Sequence, residues 1–169
     1  MAAEFISFIP PPPGMRHAPD LWSFALDLYA RPGVEDACLR LQEQGADVCL
    51  LLAGAWLARR GVRHDDAREE QLRLIAEPWQ REVVEPLRAL RRGWREAAAM
   101  DEELRTLREA VKRLELDAER RLLARLEQAA APWPEAAGHD MEWLEGLAGK
   151  AGGSDRDALQ SLRVAALEA

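Results

Sequence analysis

Residues 48–58, VCLLLAGAWLA, carry no charged side chain and no strongly polar one, and nothing else in the chain constrains its fold so tightly. A helix that borders water shows a polar stripe, so a helix that is apolar on every side belongs at the centre, surrounded by its neighbours. The run is far shorter than the roughly 20 residues that a bilayer crossing needs. Asp47 stands where an N-cap is wanted. Gly61 closes the far end, with Arg59 and Arg60 beside the negative pole of the dipole. The expectation is a buried central helix over 48–60.

The rest of the chain reads as helix around that centre. Asp20 caps a first helix over 21–30, with Trp22, Ala25, Leu26 and Tyr29 on one face. Pro32 and Gly33 break it, and a second helix runs to about Gln44, burying Val34, Cys38 and Leu41. A fourth is expected over 66–77, started by Asp65 or Asp66 and ended or kinked at Pro78. A fifth follows over 79–99, tolerating Pro86, with Val83, Leu87, Leu90 and Trp94 as a narrow 4-3-4 seam. A sixth, over 101–131, carries Leu104, Leu107, Val111, Leu114 and Ala118, then drifts to Leu122 and Leu126 as in a coiled-coil stutter. The expected fold class is all-α: a compact helical bundle with a buried apolar central helix and two long C-terminal helices. Residues 1–19 read as an extended Pro-rich leader, 20–131 as the helical domain, and 132–169 as a weakly ordered tail with short helices.

Charge narrows the function classes. The formal net charge is −7, which disfavours a nucleic-acid binder and adsorption to anionic lipid. Two cysteines, Cys38 and Cys49, both sit in apolar helical stretches and read as small buried hydrophobes in a reducing, cytoplasmic setting.

The stretch 21–61, LWSFALDLYARPGVEDACLRLQEQGADVCLLLAGAWLARRG, resembles a family of short, all-helical proteobacterial proteins defined as a domain of unknown function. VVEPLRALRR over 83–92 is similar to the same family, and the likeness covers roughly 21–95. The resemblance implies a helical fold and brings no activity with it. An asparagine is expected at the position of Cys49, and a thiol cannot replace its hydrogen bonds.

Arg81, Arg88 and Arg95 repeat at heptad spacing and, with Arg91 and Arg92, suggest a basic stripe beside the apolar seam. Guanidinium forks suit oxyanions, so a possible anionic small molecule is one reading. The plainer one is a salt-bridged surface, since Glu77, Glu85 and Glu96 lie three or four residues from Arg81, Arg88 and Arg92. Trp79 and Trp94 share that helix, and tryptophan with arginine is the composition of a binding hot spot. Asp47 is a cap in the plain reading, and a functional acid if its carboxylate is buried.

Asp65 and Asp66 with Glu69 and Glu70 imitate half of a magnesium motif, but dipole compensation explains them without a metal. His17, His64 and His139 are far apart in sequence. No phosphate-cradling glycine loop or nucleophile elbow occurs. No catalytic residue, cofactor or metal is therefore expected. The leading expectation is a non-catalytic cytoplasmic interaction or adaptor protein, with a protein partner or self-association through the long helices. The alternative is a binding protein, or degenerate enzyme, for an anionic or lipid-like ligand.

Overall fold

The computed structural model describes residues 19–169. Within them the chain is all-α: α1 (Leu21–Tyr29), α2 (Val34–Glu43), α3 (Val48–Arg59), α4 (Asp66–Trp79), a π-helical turn (Gln80–Val84), α5 (Glu85–Gly93), α6 (Ala97–Met100), α7 (Glu102–Ala130), α8 (Glu142–Ser154) and α9 (Arg156–Glu168). The extended leader expected over 1–19 lies outside the described residues except for Pro19. No described helix is long and apolar enough to cross a membrane. The described chain divides into two compact units, 19–69 with 132–169, and 70–131.

In the first unit α3 is the buried centre, with every residue from Cys49 to Ala58 inside. The Asp47 carboxylate accepts from the Cys49 N–H at 2.8 Å and the Leu50 N–H at 3.3 Å, so it satisfies two donors that the helix leaves over. Helices α8, α1, α2 and α9 pack around α3. Gly54 lets α8 close in: a Cβ there would meet Leu147 Cδ1 at 2.8 Å and the Trp143 carbonyl oxygen at 3.4 Å.

Residues 132–169 are therefore not a tail appended to a domain that ends at 131. They share the first unit's core. Trp143 and Leu144 are fully buried. The Trp143 indole N–H donates to the Val62 carbonyl at 2.7 Å, and its ring stacks on Trp133 at 5.8 Å and meets His64 edge-on at 5.0 Å. Asp155 caps α9 through the Ala158 N–H and receives a two-pronged Arg40 guanidinium from α2, at 2.7 and 2.8 Å. The glycines of α8 weaken its helical pattern in sequence, yet two of them permit close packing: a Cβ at Gly146 would run into the Glu69 carboxylate, and one at Gly152 would meet Leu159 Cδ2 at 2.8 Å.

The second unit is a helical hairpin. Its first arm runs through Pro78 without the expected break, and the irregularity comes just after it. The Glu85 N–H reaches back five residues to the Gln80 carbonyl, a widened turn placed directly before Pro86. One residue added to a turn rotates everything downstream by about 100°. The inward face of α5 thus becomes Val84, Arg88 and Arg91, while Leu90 is 41% exposed.

The second arm, α7, is capped by Asp101, whose carboxylate accepts the Leu104 N–H at 3.1 Å. Ala118, Leu122 and Leu126 are buried as the spacing predicts. Leu107 and Leu114 are each 55% exposed, and Glu115 is inside instead. The arms are antiparallel, since Arg88 pairs with Glu119, Arg91 with Glu115, and Arg105 reaches the Ala98 carbonyl near the tip.

Candidate functional site

The expected arginine stripe does not stand on one surface. Arg88 and Arg91 are buried, at 5% and 6% exposure. Arg81, Arg92 and Arg95 are exposed, and Arg81 pairs with the adjacent Glu82 at 2.8 Å. The π-turn is the physical cause. It carries Arg88 and Arg91 to the hairpin interior and turns the Val83–Leu87–Leu90–Trp94 seam sideways.

The two buried guanidiniums meet Glu115, whose side chain is 2% exposed. Its Oε1 accepts from Arg88 Nε at 3.1 Å and Arg91 Nη2 at 3.2 Å, and its Oε2 accepts from Arg91 Nε at 2.5 Å. Arg88 also donates to Glu85 at 2.7 Å and to Glu119 at 2.9 Å. Burial alone would raise the Glu115 carboxyl. The hydrogen bonds and charges of Arg91 and Arg88 outweigh it and hold the group below the ordinary glutamate value. Burial likewise pulls the Arg88 guanidinium down, and Glu119, Glu85 and Glu115 together more than reverse it. This cluster is saturated by its own carboxylates, so it joins the arms and offers little to an outside anion.

What the hairpin does leave open is apolar. Between the arms lies an open groove of about 670 Å³, lined by Leu74, Ile75, Pro78, Trp79, Glu82 and Val83 on one side and Arg125, Gln128 and Ala129 on the other. Trp79 is anchored there. Its indole N–H donates to the Ala118 carbonyl at 2.9 Å, and the Arg125 guanidinium lies 3.9 Å from the ring centroid. Packing a cation on an aromatic face at the surface contributes about 0.5–1 kcal/mol. Trp94, half-buried, is the C-cap of α5. The sequence points to neither Arg125 nor Leu74, whereas the periodicity of the fourth helix turns Ile75 inward and the structure places it half-buried in the groove wall. Their signal is only that α4 and the end of α7 must face one another across a hairpin.

Other candidates resolve simply. Asp47 is a half-buried cap. Cys38 and Cys49 are both buried and form no disulfide, and burial, with the charge of Glu35 second, pushes the Cys38 thiol up to about 12. Asp65 receives the Arg68 backbone N–H and pairs with the Arg68 guanidinium, while Glu69 pairs with His64 at 2.7 Å. Among the described residues no group of three or more His, Cys, Asp or Glu side chains is arranged to hold a metal ion.

A family model described as a protein of unknown function, DUF2390, matches residues 20–126. The chain belongs to that family. The matched span runs from α1 into the last turns of α7, so α8 and α9, which pack against α3, lie beyond it. No curated protein and no solved structure matches the chain.

Proposed function

We propose that this protein is a non-catalytic interaction module of the cytoplasm, docking a protein partner on the apolar side of the 70–131 hairpin. One observation carries the reading: Leu74, Leu90, Leu107 and Leu114 of the hairpin are 64%, 41%, 55% and 55% exposed, and Leu74 lines the groove that holds Trp79. Scattered surface leucines need no explanation, but leucines repeating seven residues apart on one helix form a stripe. Exposed Arg92 and Arg95 border the same arm and supply a polar rim. Two buried cysteines that form no disulfide are in keeping with a reducing compartment.

The test is capture of partners from native cell extract by the tagged full chain, read by mass spectrometry. Leu107→Lys with Leu114→Lys is expected to abolish capture while the circular dichroism stays unchanged. Undiminished capture by that variant would reject the surface. The groove also supports a second reading, in which an anionic amphiphile lays its tail along Leu74, Pro78 and Val83 and its head on Arg125. A thermal-shift series with fatty acids and with pyrophosphate decides it. No shift with any of them at millimolar concentration removes the ligand.

A further inference from the structure

We infer that the groove around Trp79 holds a small amphiphilic monocarboxylate, its head on Arg125 and a short apolar chain running toward Leu74. The inference rests on the ligand reading of the groove and fixes the head group, its place and the length of the chain.

Charge selects the head. The Arg125 guanidinium lies over the Trp79 ring, 3.9 Å from the centroid, and among the described residues it makes no hydrogen bond or ion pair. Its neighbours three and four residues away on α7 are Arg121, Leu122, Gln128 and Ala129, none of them acidic. Across the groove, Glu82 is already engaged by Arg81 at 2.8 Å. Arg88 and Arg91 are saturated by carboxylates, whereas Arg125 lines the groove with its charge uncompensated. A guanidinium seated on an aromatic face keeps its N–H donors in its own plane, and their fork matches a carboxylate. One cation balances one negative charge, which favours a carboxylate over a doubly charged phosphate ester.

The lining selects the body and its direction. The arms are antiparallel, so Ala129, one turn past Arg125, lies on the Leu74 side of Trp79. With Leu74, Ile75 and Pro78 it makes that end apolar, and the polar residue there, Gln128, is uncharged. The Val83 end carries the Glu82 carboxylate, which repels an anion. Leu74 precedes Trp79 by five residues, about 7.5 Å by helical rise. Extended methylenes advance about 1.3 Å each, so about six span that length, and a carboxylate, six methylenes and a methyl make an acid of about eight carbons. Its far end covers Leu74, which is 64% exposed. The groove volume of about 670 Å³ lies within the range of small-ligand sites.

Titration of the full chain with octanoate tests this, read by calorimetry and by the Trp79 indole N–H resonance, one of six in the chain. A dissociation constant on the order of 100 μM is expected, ordinary for a ligand of that size, with the Trp79 resonance moving and that of Trp143 unchanged. Octanol and octyltrimethylammonium are expected to bind about tenfold more weakly, since neither offers Arg125 an anion. Arg125→Gln is expected to weaken octanoate about tenfold and octanol hardly at all. Arg125→Lys recovers part of that loss, because it keeps the charge and not the fork. Leu74→Glu weakens octanoate with circular dichroism unchanged. Octanol matching octanoate, an affinity indifferent to Arg125→Gln, or a Trp79 resonance that does not move overturns the inference. Octyl phosphate binding through Arg125 more tightly than octanoate overturns the carboxylate and leaves the ligand reading standing. No binding by any of these amphiphiles at millimolar concentration removes both. Partner capture by Leu107→Lys with Leu114→Lys is a separate readout, so loss of the ligand does not touch the protein-docking surface.

Discussion

Replacing Glu115 by glutamine tests whether a buried ion cluster holds the hairpin arms in register. The wild-type carboxylate accepts three hydrogen bonds from two buried guanidiniums. Glutamine keeps one acceptor oxygen and turns the other into an amide that points hydrogen at a cation. Arg88 retains Glu85 and Glu119, and both guanidiniums lose the charge of Glu115. Removing one partner from a buried pair costs about 3–5 kcal/mol, most of it from the uncompensated charge left inside. With two partial compensations kept on Arg88, about 3 kcal/mol is the expected loss. Urea unfolding followed by far-UV circular dichroism measures it, and at a slope of about 2 kcal/mol per molar the midpoint falls by about 1.5 M.

The same variant sets a pH dependence whose sign follows from the carboxyl's depressed affinity for protons. In the folded chain Glu115 titrates below its unfolded value of 4.5, because Arg91 and Arg88 outweigh the opposing effect of burial. A group depressed on folding contributes its stability above the unfolded value and loses it as pH falls through the folded one. The gap between wild type and Glu115→Gln is therefore full at neutral pH, begins to shrink as pH falls past the unfolded value and closes as it falls through the lower folded one. A loss under about 1 kcal/mol at neutral pH, or a gap that stays constant into acid, would refute the ion-cluster reasoning. Replacing the whole buried cluster by uncharged residues of similar volume (Arg88→Met, Arg91→Met, Glu115→Leu, Glu119→Gln) is expected to cost less than Glu115→Gln alone.

Two further outcomes concern the first unit. Trp143→Ala removes a fully buried indole and leaves the Val62 carbonyl without its donor, so a loss of about 3–5 kcal/mol is expected by urea unfolding; a loss under 1 kcal/mol would return residues 132–169 to the status of a tail. Gly61 has φ +69°, and a Cβ there would run into the Ala136 carbonyl, whereas Gly45 at φ +96° has open space around it. Gly61→Ala is expected to lower the melting temperature well beyond Gly45→Ala, whose cost is about 1 kcal/mol of backbone strain. Equal shifts would refute the close approach.

Residues 48–58 determined their own burial, because no rotation of that helix offers water a polar face. Caps and breakers were equally local: Asp47, Asp101 and Asp155 hold the N–H groups two or three residues on, and the α1 and α3 boundaries lie within a residue of where the pattern puts them. The candidate site was legible only in part. Trp79 and the two heptad seams could be read from spacing, but not which seam the hairpin would bury. That choice was made by the π-turn before Pro86, which rotated α5 until Arg88 and Arg91 faced Glu115 and Glu119. An ion cluster between two helices has no signature in either strand of sequence, because complementarity belongs to the pair. The place of α8 was decided the same way: Trp143 is a core residue only because α3 has a glycine at 54 and a neighbouring carbonyl at Val62 to receive it.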